Sequence, residues 1–324
     1  MIFDALEFYG LEKDLSEAGF YKTEDIQELQ NKIKKFTLNF GKIIAISGSV
    51  GSGKTAFINQ IMHELKTENK CVVSYSYSSD RENVNIKTLM TALLLDLSEG
   101  NKVQIPTSSE MRDRKLVKLM QELNKPVVLF IDEAQDLHAN TLSSLKKLLE
   151  SAKKGQQKLS IILAGQPKLK NMISSPRMDE VGSRSYIIDL DVFFTKKDRY
   201  FEWALNKCSE KSKKISDIIT PEASKLLTNS LVTPLQIISH FNKAIEIGFK
   251  VGVTPINKEI IEQVLKPSDC ELELKYTRAG YRINTIAKML FVPEKTVRLW
   301  FMGKLPEQQA IEFEESLVQA NIIV

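Results

Sequence analysis

Residues 42–55, KIIAISGSVGSGKT, constrain this chain more than any other stretch. Ile43, Ile44, Ala45 and Ile46 form a short apolar run of the kind that makes a buried strand. The run leads straight into Gly48-x-x-x-x-Gly53-Lys54-Thr55, and Ala56–Leu65 is helical in pattern. A strand, a glycine-rich loop and a helix in that order are the context of a phosphate-binding P-loop. Gly48, Gly51 and Gly53 let the backbone turn its N–H groups inward, at the positive end of a helix. With Ser49, Val50, Ser52 and Ala56 they make up the expected cofactor-binding stretch. Lys54 is expected to reach the β/γ-phosphates, and the Thr55 hydroxyl to ligate Mg²⁺. The expected cofactors are therefore ATP and Mg²⁺.

Two further strands end in polar groups suited to that site. Pro126–Glu133, PVVLFIDE, is an apolar strand that ends in adjacent carboxylates. Asp132 is placed to hold the Mg²⁺ shell, and Glu133 to polarise an attacking water. Leu159–Ala164 is a third apolar strand, followed by Gly165-Gln166-Pro167. A polar side chain at that tip is in position to sense a γ-phosphate, which makes Gln166 the candidate.

These segments together resemble a known family. GSVGSGKT, FIDEAQDL and ILAGQPKL, in this order and spacing, are similar to the AAA+ ATPases of the ExeA-like and transposition-regulator groups, which include MuB, TnsC and TniB. The resemblance covers roughly residues 15–265. It implies an α/β fold: a doubly wound parallel P-loop sheet flanked by helices, followed by a small helical lid. It also implies homo-oligomers, a ring or a helical filament, with ATP at the subunit interfaces. In such assemblies an arginine just before the last core strand reaches the neighbour's γ-phosphate. Arg184, ahead of the strand expected at Ser185–Val192, matches that position, and Arg177 is the nearest competitor. The stretch Gly19–Thr23 resembles the segment that lies near the adenine, which points to Tyr21. The lid departs from a common pattern, because Val232-Thr233-Pro234-Leu235-Gln236 has no arginine after its proline. The resemblance therefore implies a slow ATPase, or one stimulated by DNA or a partner.

At 324 residues the chain is long enough for about two domains. We divide it into a nucleotide-binding core (1–200), a lid (201–266) and a small all-α C-terminal domain of helix-turn-helix type (267–324). Ile86, Leu89, Met90, Leu93, Leu94 and Leu97 recur at helical spacing and read as core packing. Thr-Pro pairs at 220, 233 and 254 read as three helix starts, each a hydroxyl cap followed by proline. Pro267–Cys270 reads as a linker. Beyond it, residues 275–304 carry seven basic residues and one acid, Glu294. Thr285–Leu290 and Glu294–Phe301 are expected to be two helices joined at Phe291–Pro293, where glycine is usual. Lys295, Thr296 and Arg298 on the second helix suit phosphates and base edges. The same pattern also fits a helical domain that contacts protein.

The charge balance, 45 Lys+Arg against 41 Asp+Glu, is too even to diagnose a nucleic-acid binder, so distribution decides. The amphipathic helix expected at 141–153 places Lys146, Lys147, Lys153 and Lys154 away from its leucines, with Lys158, Lys168 and Lys170 close behind. Point charges of this kind suit sequence-neutral contact with the phosphates of double-stranded DNA. A solvated helix face is the alternative. Cys71, Cys208 and Cys270 are odd in number and far apart, with no CxxC, so neither a disulfide framework nor a zinc site is indicated. No apolar run approaches the roughly 18 residues that span a bilayer, and the N-terminus is unlike a signal peptide. The expected setting is the cytoplasm, without a membrane. The expected function is an ATP-dependent regulator that oligomerises on duplex DNA and recruits a transposase or recombinase. Alternatives are an ExeA-type secretion or envelope ATPase and a signalling switch that gates a protein-binding domain.

Overall fold

The computed structural model describes residues 2–76, 85–98, 104–265 and 271–322. Along the chain, α1 (Ile2–Phe8) and α2 (Glu24–Asn39) precede β1 (Ile43–Ser47), α3 (Lys54–Glu68) and β2 (Val72–Ser76). Next come α4 (Ile86–Leu97), α5 (Ser109–Leu123), β3 (Val127–Ile131), α6 (Ala139–Lys154) and β4 (Leu159–Gly165). Then follow α7 (Pro167–Ile173), the single turn α8 (Asp179–Gly182), β5 (Ser185–Asp189) and α9 (Lys197–Cys208). The chain continues through α10 (Ile215–Ile218), α11 (Pro221–Ser230), α12 (Pro234–Val251) and α13 (Lys258–Val264). It closes with α14 (Glu271–Arg278), α15 (Ile283–Leu290), α16 (Glu294–Phe301) and α17 (Glu307–Gln319). The expected linker at Pro267–Cys270 lies outside the described residues.

These elements group into two compact units. The first comprises Glu24–Gly48, Lys54–Leu190 and Glu273–Val324; the second comprises Met1–Thr23, Ser49–Gly53 and Asp191–Leu272.

The first unit is built on a five-stranded parallel sheet in the order β2-β3-β4-β1-β5. Every residue of β1, β3 and β4 is buried, while the edge strands β2 and β5 are only partly so. Continuous apolar strands such as VVLFI are what a sheet covered on both faces requires. On one face the leucines of α4, including Leu89, Leu93 and Leu94, meet Leu116 and Met120 of α5 and Leu142, Leu145 and Leu148 of α6. The helical stripe at 86–97 is thus core. The strand expected to reach Val192 stops at Asp189 and gives way to a 3₁₀ turn, Leu190–Phe193. Its last ladder partner is Ser47, and beyond Ser47 the β1 chain turns into the P-loop, so there is nothing left to pair with.

The C-terminal helices of this unit bury Tyr281, Ile286, Val297, Trp300, Phe301 and Phe313 in a cluster of their own. α16 has the expected boundaries, and α15 starts two residues before the expected Thr285, at Ile283. At the turn Phe291 adopts φ +55°, the left-handed conformation that glycine usually supplies, and its ring is 96% exposed.

In the second unit α11 and α12 start as expected. Thr220 Oγ1 accepts the Ala223 N–H at 3.3 Å. At α12, Thr233 Oγ1 accepts the Gln236 N–H at 3.4 Å and Gln236 Oε1 accepts the Thr233 N–H at 3.1 Å, a reciprocal capping box. The third Thr-Pro pair starts no helix. Thr254-Pro255 is a cis peptide, and α13 is capped instead by Asn257, whose Oδ1 accepts the Ile260 N–H. The N-terminal segment belongs to this unit. The Tyr9 hydroxyl donates to the Val253 carbonyl at 2.5 Å, and Tyr9 lies over Gly248 of α12. A Cβ on Gly248 would sit 2.1 Å from the Tyr9 hydroxyl oxygen, so α1 packs where α12 has no side chain.

Candidate nucleotide site

The site residues of the first unit come together because β1, β3 and β4 end at one sheet edge. The Gly48 N–H donates to the Gly165 carbonyl at 3.1 Å, joining the start of the P-loop to the tip of β4. Lys54, at the head of α3, is 7% exposed, and its Nζ donates to the Gly48 carbonyl at 2.8 Å. Burying an ammonium requires such a partner, and it keeps the charge beside the loop. The Thr55 hydroxyl donates to Asp132 Oδ2 at 2.9 Å. A hydroxyl and a carboxylate brought this close are the hard oxygen donors that Mg²⁺ prefers. Among the described residues no cluster of three or more His, Cys, Asp or Glu could hold a metal. An ion here would complete its shell with phosphate oxygens and water.

Glu133 follows Asp132 in the left-handed region at φ +53°. Its N–H donates to Asp132 Oδ1 at 2.8 Å, which leaves Asp132 Oδ2 for Thr55. Gln135, 3% exposed, donates through Nε2 to Glu133 Oε2 at 2.7 Å. Its Oε1 accepts the Gln166 N–H at 3.0 Å. Gln135 thus bridges the candidate base to the candidate sensor. The sequence contains it in FIDEAQDL, but nothing in the spacing marks it as different from an ordinary turn residue.

In the second unit, Ser49–Gly53 are held by two neighbours. Asp191 Oδ2 accepts from both the N–H and the hydroxyl of Ser49, each at 2.8 Å. The Leu235 N–H donates to the Gly51 carbonyl at 3.3 Å. Gly51 has φ +83°, and a Cβ there would lie 2.3 Å from Leu235 Cβ, so both backbone and space demand glycine. Leu235 follows Pro234 in the first turn of α12. Gly53 has φ +89° but an open side, so only its backbone requires glycine. Ser52 Oγ is buried without a hydrogen-bond partner. Tyr21 lies in an aromatic cluster, its ring centroid 5.0 Å from that of Trp203 and 5.7 Å from that of Tyr200. Burial pushes the Tyr200 hydroxyl up to about 12.

Arg184 stands immediately before β5 with its guanidinium exposed and ion-paired to Glu150 of α6. That hydrogen bond holds the Glu150 carboxyl below its usual range. Arg177, on a 3₁₀ turn at Pro176–Met178, is also exposed. The lysines of α6 divide. Lys147, Lys153 and Lys154 are exposed, whereas the Lys146 side chain is only 14% exposed and is paired with Glu180 and Glu150. Lys170 pairs with Asp189 at 2.8 Å. Glu180 and Asp189 are counter-charges far enough along the chain that inspection of the helix alone misses them. On α16, Lys295 and Arg298 are exposed and Thr296 is half-buried; Arg298 lies 3.7 Å from Glu294.

Residues 40–173 match the family model of the AAA domain. The fold is that of the AAA+ P-loop ATPases. The chain is 27% identical over 145 residues to General secretion pathway protein A of Aeromonas hydrophila. That match takes in 44% of this chain and 26% of that protein, so the chain covers about a quarter of its curated relative. Among solved structures it is similar to the Aeropyrum pernix ORC2 protein in its ADPNP–ADP complexes: 13% identity, TM-score 0.58, 97% of this chain and 92% of that one. It is also similar to the Drosophila ORC bound to DNA: 14% identity, TM-score 0.54, 100% of this chain and 85% of that one. At these identities the likeness is one of fold. No helix among the described residues is long and apolar enough to cross a membrane.

Proposed function

We propose that this chain is a DNA-binding AAA+ ATPase that oligomerises on duplex DNA and recruits a transposase or recombinase, acting in the cytoplasm. The observation that carries the ATPase reading is the pairing of Thr55 with Asp132 beside a buried Lys54. In this reading Lys54 faces the β/γ-phosphates, and Thr55 and Asp132 hold Mg²⁺, which neutralises phosphate charge when bound. Ser49–Gly53 and Ala56 cradle phosphate through backbone N–H groups, and Tyr21 borders the adenine. Glu133 accepts a proton from the attacking water, Gln166 senses the γ-phosphate, and Arg184 completes a neighbouring subunit's site. Leu235 at the arginine-less lid position supports slow turnover that rises when DNA or a partner binds.

The DNA half is supported by the exposed Lys147, Lys153 and Lys154 on α6 and by Lys295, Thr296 and Arg298 on the helix-turn-helix pair. Lys146, tied into its ion pairs, contributes to the field more than to contact. One structural neighbour is described as bound to DNA. ATPase rate measured with and without duplex DNA tests the whole reading: stimulation supports it, and indifference to DNA favours a protein-gating switch. The similarity to General secretion pathway protein A favours a second reading, an ATPase of secretion or the cell envelope. That reading predicts no stimulation by DNA and no salt-dependent DNA binding.

A further inference from the structure

The C-terminal helices dock on the corner where β4 runs into α7. The Lys168 N–H donates to the Ala279 carbonyl at 3.1 Å. Asn171 Nδ2 donates to the Tyr281 hydroxyl at 2.9 Å, and Asn321 Nδ2 donates to the Asn171 carbonyl at 3.0 Å. Between these bonds lies Gly280 at φ +97°, so close that a Cβ would fall 2.7 Å from Gln166 Oε1. That oxygen is buried and accepts no hydrogen bond. A buried carbonyl oxygen without a donor is costly, so the docked arrangement holds this amide in an unfavourable state. The side chain assigned to sense the γ-phosphate therefore directs its Oε1 at the Gly280 turn, where that oxygen accepts no hydrogen bond.

The same corner reaches the candidate base. The Gln166 N–H is bonded to Gln135, and Gln135 donates to the Glu133 carboxylate at 2.7 Å. A buried amide that donates to a carboxylate fixes its direction and occupies one of its oxygens, so that oxygen is not turned toward an attacking water. A continuous line of contacts thus runs from Glu133 through Gln135 and Gln166 to Gly280 and Ala279.

We propose that the docked C-terminal module restrains ATP hydrolysis, with Gln135 as the positioning residue that transmits the restraint to Glu133. A ligand engaging the module's basic helix pair, duplex DNA in the function proposed above, loosens the corner and frees both side chains to turn toward the nucleotide. The inference rests on that ATPase reading. By linkage, the effect is reciprocal: a γ-phosphate that recruits Gln166 weakens docking.

Two substitutions in the full chain test it. Asn171→Arg places a bulky cation in the docking contact, and Gln135→Met removes the amide from Glu133 while keeping side-chain length. Hydrogen exchange at the Lys168 amide reports docking, nucleotide binding reports an intact fold, and unstimulated turnover reports the restraint. Asn171→Arg should speed exchange at Lys168 and raise kcat on the order of tenfold, with KM little changed. Gln135→Met should raise kcat similarly without changing that exchange. The double variant should gain no more than the larger single effect, because both act on one line of contacts. A variant that binds ATP and is undocked, yet turns over at or below the parental rate, overturns the restraint. So does a double variant whose effects add. If the parent binds ATP, either result leaves the nucleotide assignment standing; a parent that binds none sinks both.

Discussion

Asp191 is the residue most directly exposed to test in the loop's supporting structure. Its Oδ2 accepts two hydrogen bonds from Ser49, from the N–H and from the hydroxyl, both at 2.8 Å. Asp191→Ala removes both, so Ser49–Gly53 lose the anchor that sets their backbone before phosphate arrives. A hydrogen bond to a charged group contributes roughly 1.5–3 kcal/mol. Because Asp191 is half-buried, water and ions recover much of that, and about 2 kcal/mol for the pair is a fair figure. If ATP must reorder the loop in the variant, that cost appears in binding as a Kd raised roughly 30-fold. Asp191→Asn keeps an acceptor and should lose only about threefold. Titration with a fluorescent ATP analogue measures both values, and a melting curve without nucleotide confirms the fold. A Kd for Asp191→Ala equal to that of the parent would refute the reasoning, since the loop would then hold its shape without the carboxylate.

Arg184→Ala should leave ATP binding by the single subunit intact while suppressing both assembly and turnover, as read by light scattering with a non-hydrolysable analogue. Normal oligomers with normal turnover would transfer the role to Arg177 or remove it. Replacing Lys147, Lys153 and Lys154 together should weaken ATP-dependent binding equally on all duplex sequences and flatten the salt slope by roughly 0.9 for each phosphate no longer neutralised. Filter binding across a salt series measures this, and an unchanged slope would return those lysines to solvated surface. Burial pushes the hydroxyls of Tyr9 and Tyr200 up to about 12, from 10 in the unfolded chain. The stability they contribute is therefore complete below pH 10 and is lost as pH rises toward 12. Denaturant midpoints measured from pH 8 upward should fall through that window, and Tyr9→Phe should make the decline shallower.

Much of this was legible in the sequence because local signals and tertiary demands agree. IIAIS, VVLFI and LSIILAG are apolar from end to end, which is what strands buried on both faces need, and each ends directly in site residues. Gly51 and Gly53, expected to let the loop backbone turn inward, both have positive φ. The helix pair at 283–301 follows from its apolar spacing even with phenylalanine at the turn. What escaped depends on long-range contact. Asp191 lies 142 residues from Ser49, and no pattern in DLDV points to a P-loop. Gln135 has no local mark of its role, which arises only when β4 brings Gln166 beside it. Lys146 looks like its neighbours until Glu180, 34 residues away, closes on it. Thr254-Pro255 carries the same two residues as two genuine caps, yet the helix starts three positions later, where Asn257 supplies the acceptor.

The most direct test of the nucleotide assignment is ATP turnover by Glu133→Gln, measured beside nucleotide binding by the same protein. An amide cannot take a proton from water, while the Thr55–Asp132 pair and Lys54 are left in place. The expected result is ATP binding at the parental level with hydrolysis nearly abolished. Hydrolysis by Glu133→Gln at the parental rate would contradict the assignment of Glu133 as the base.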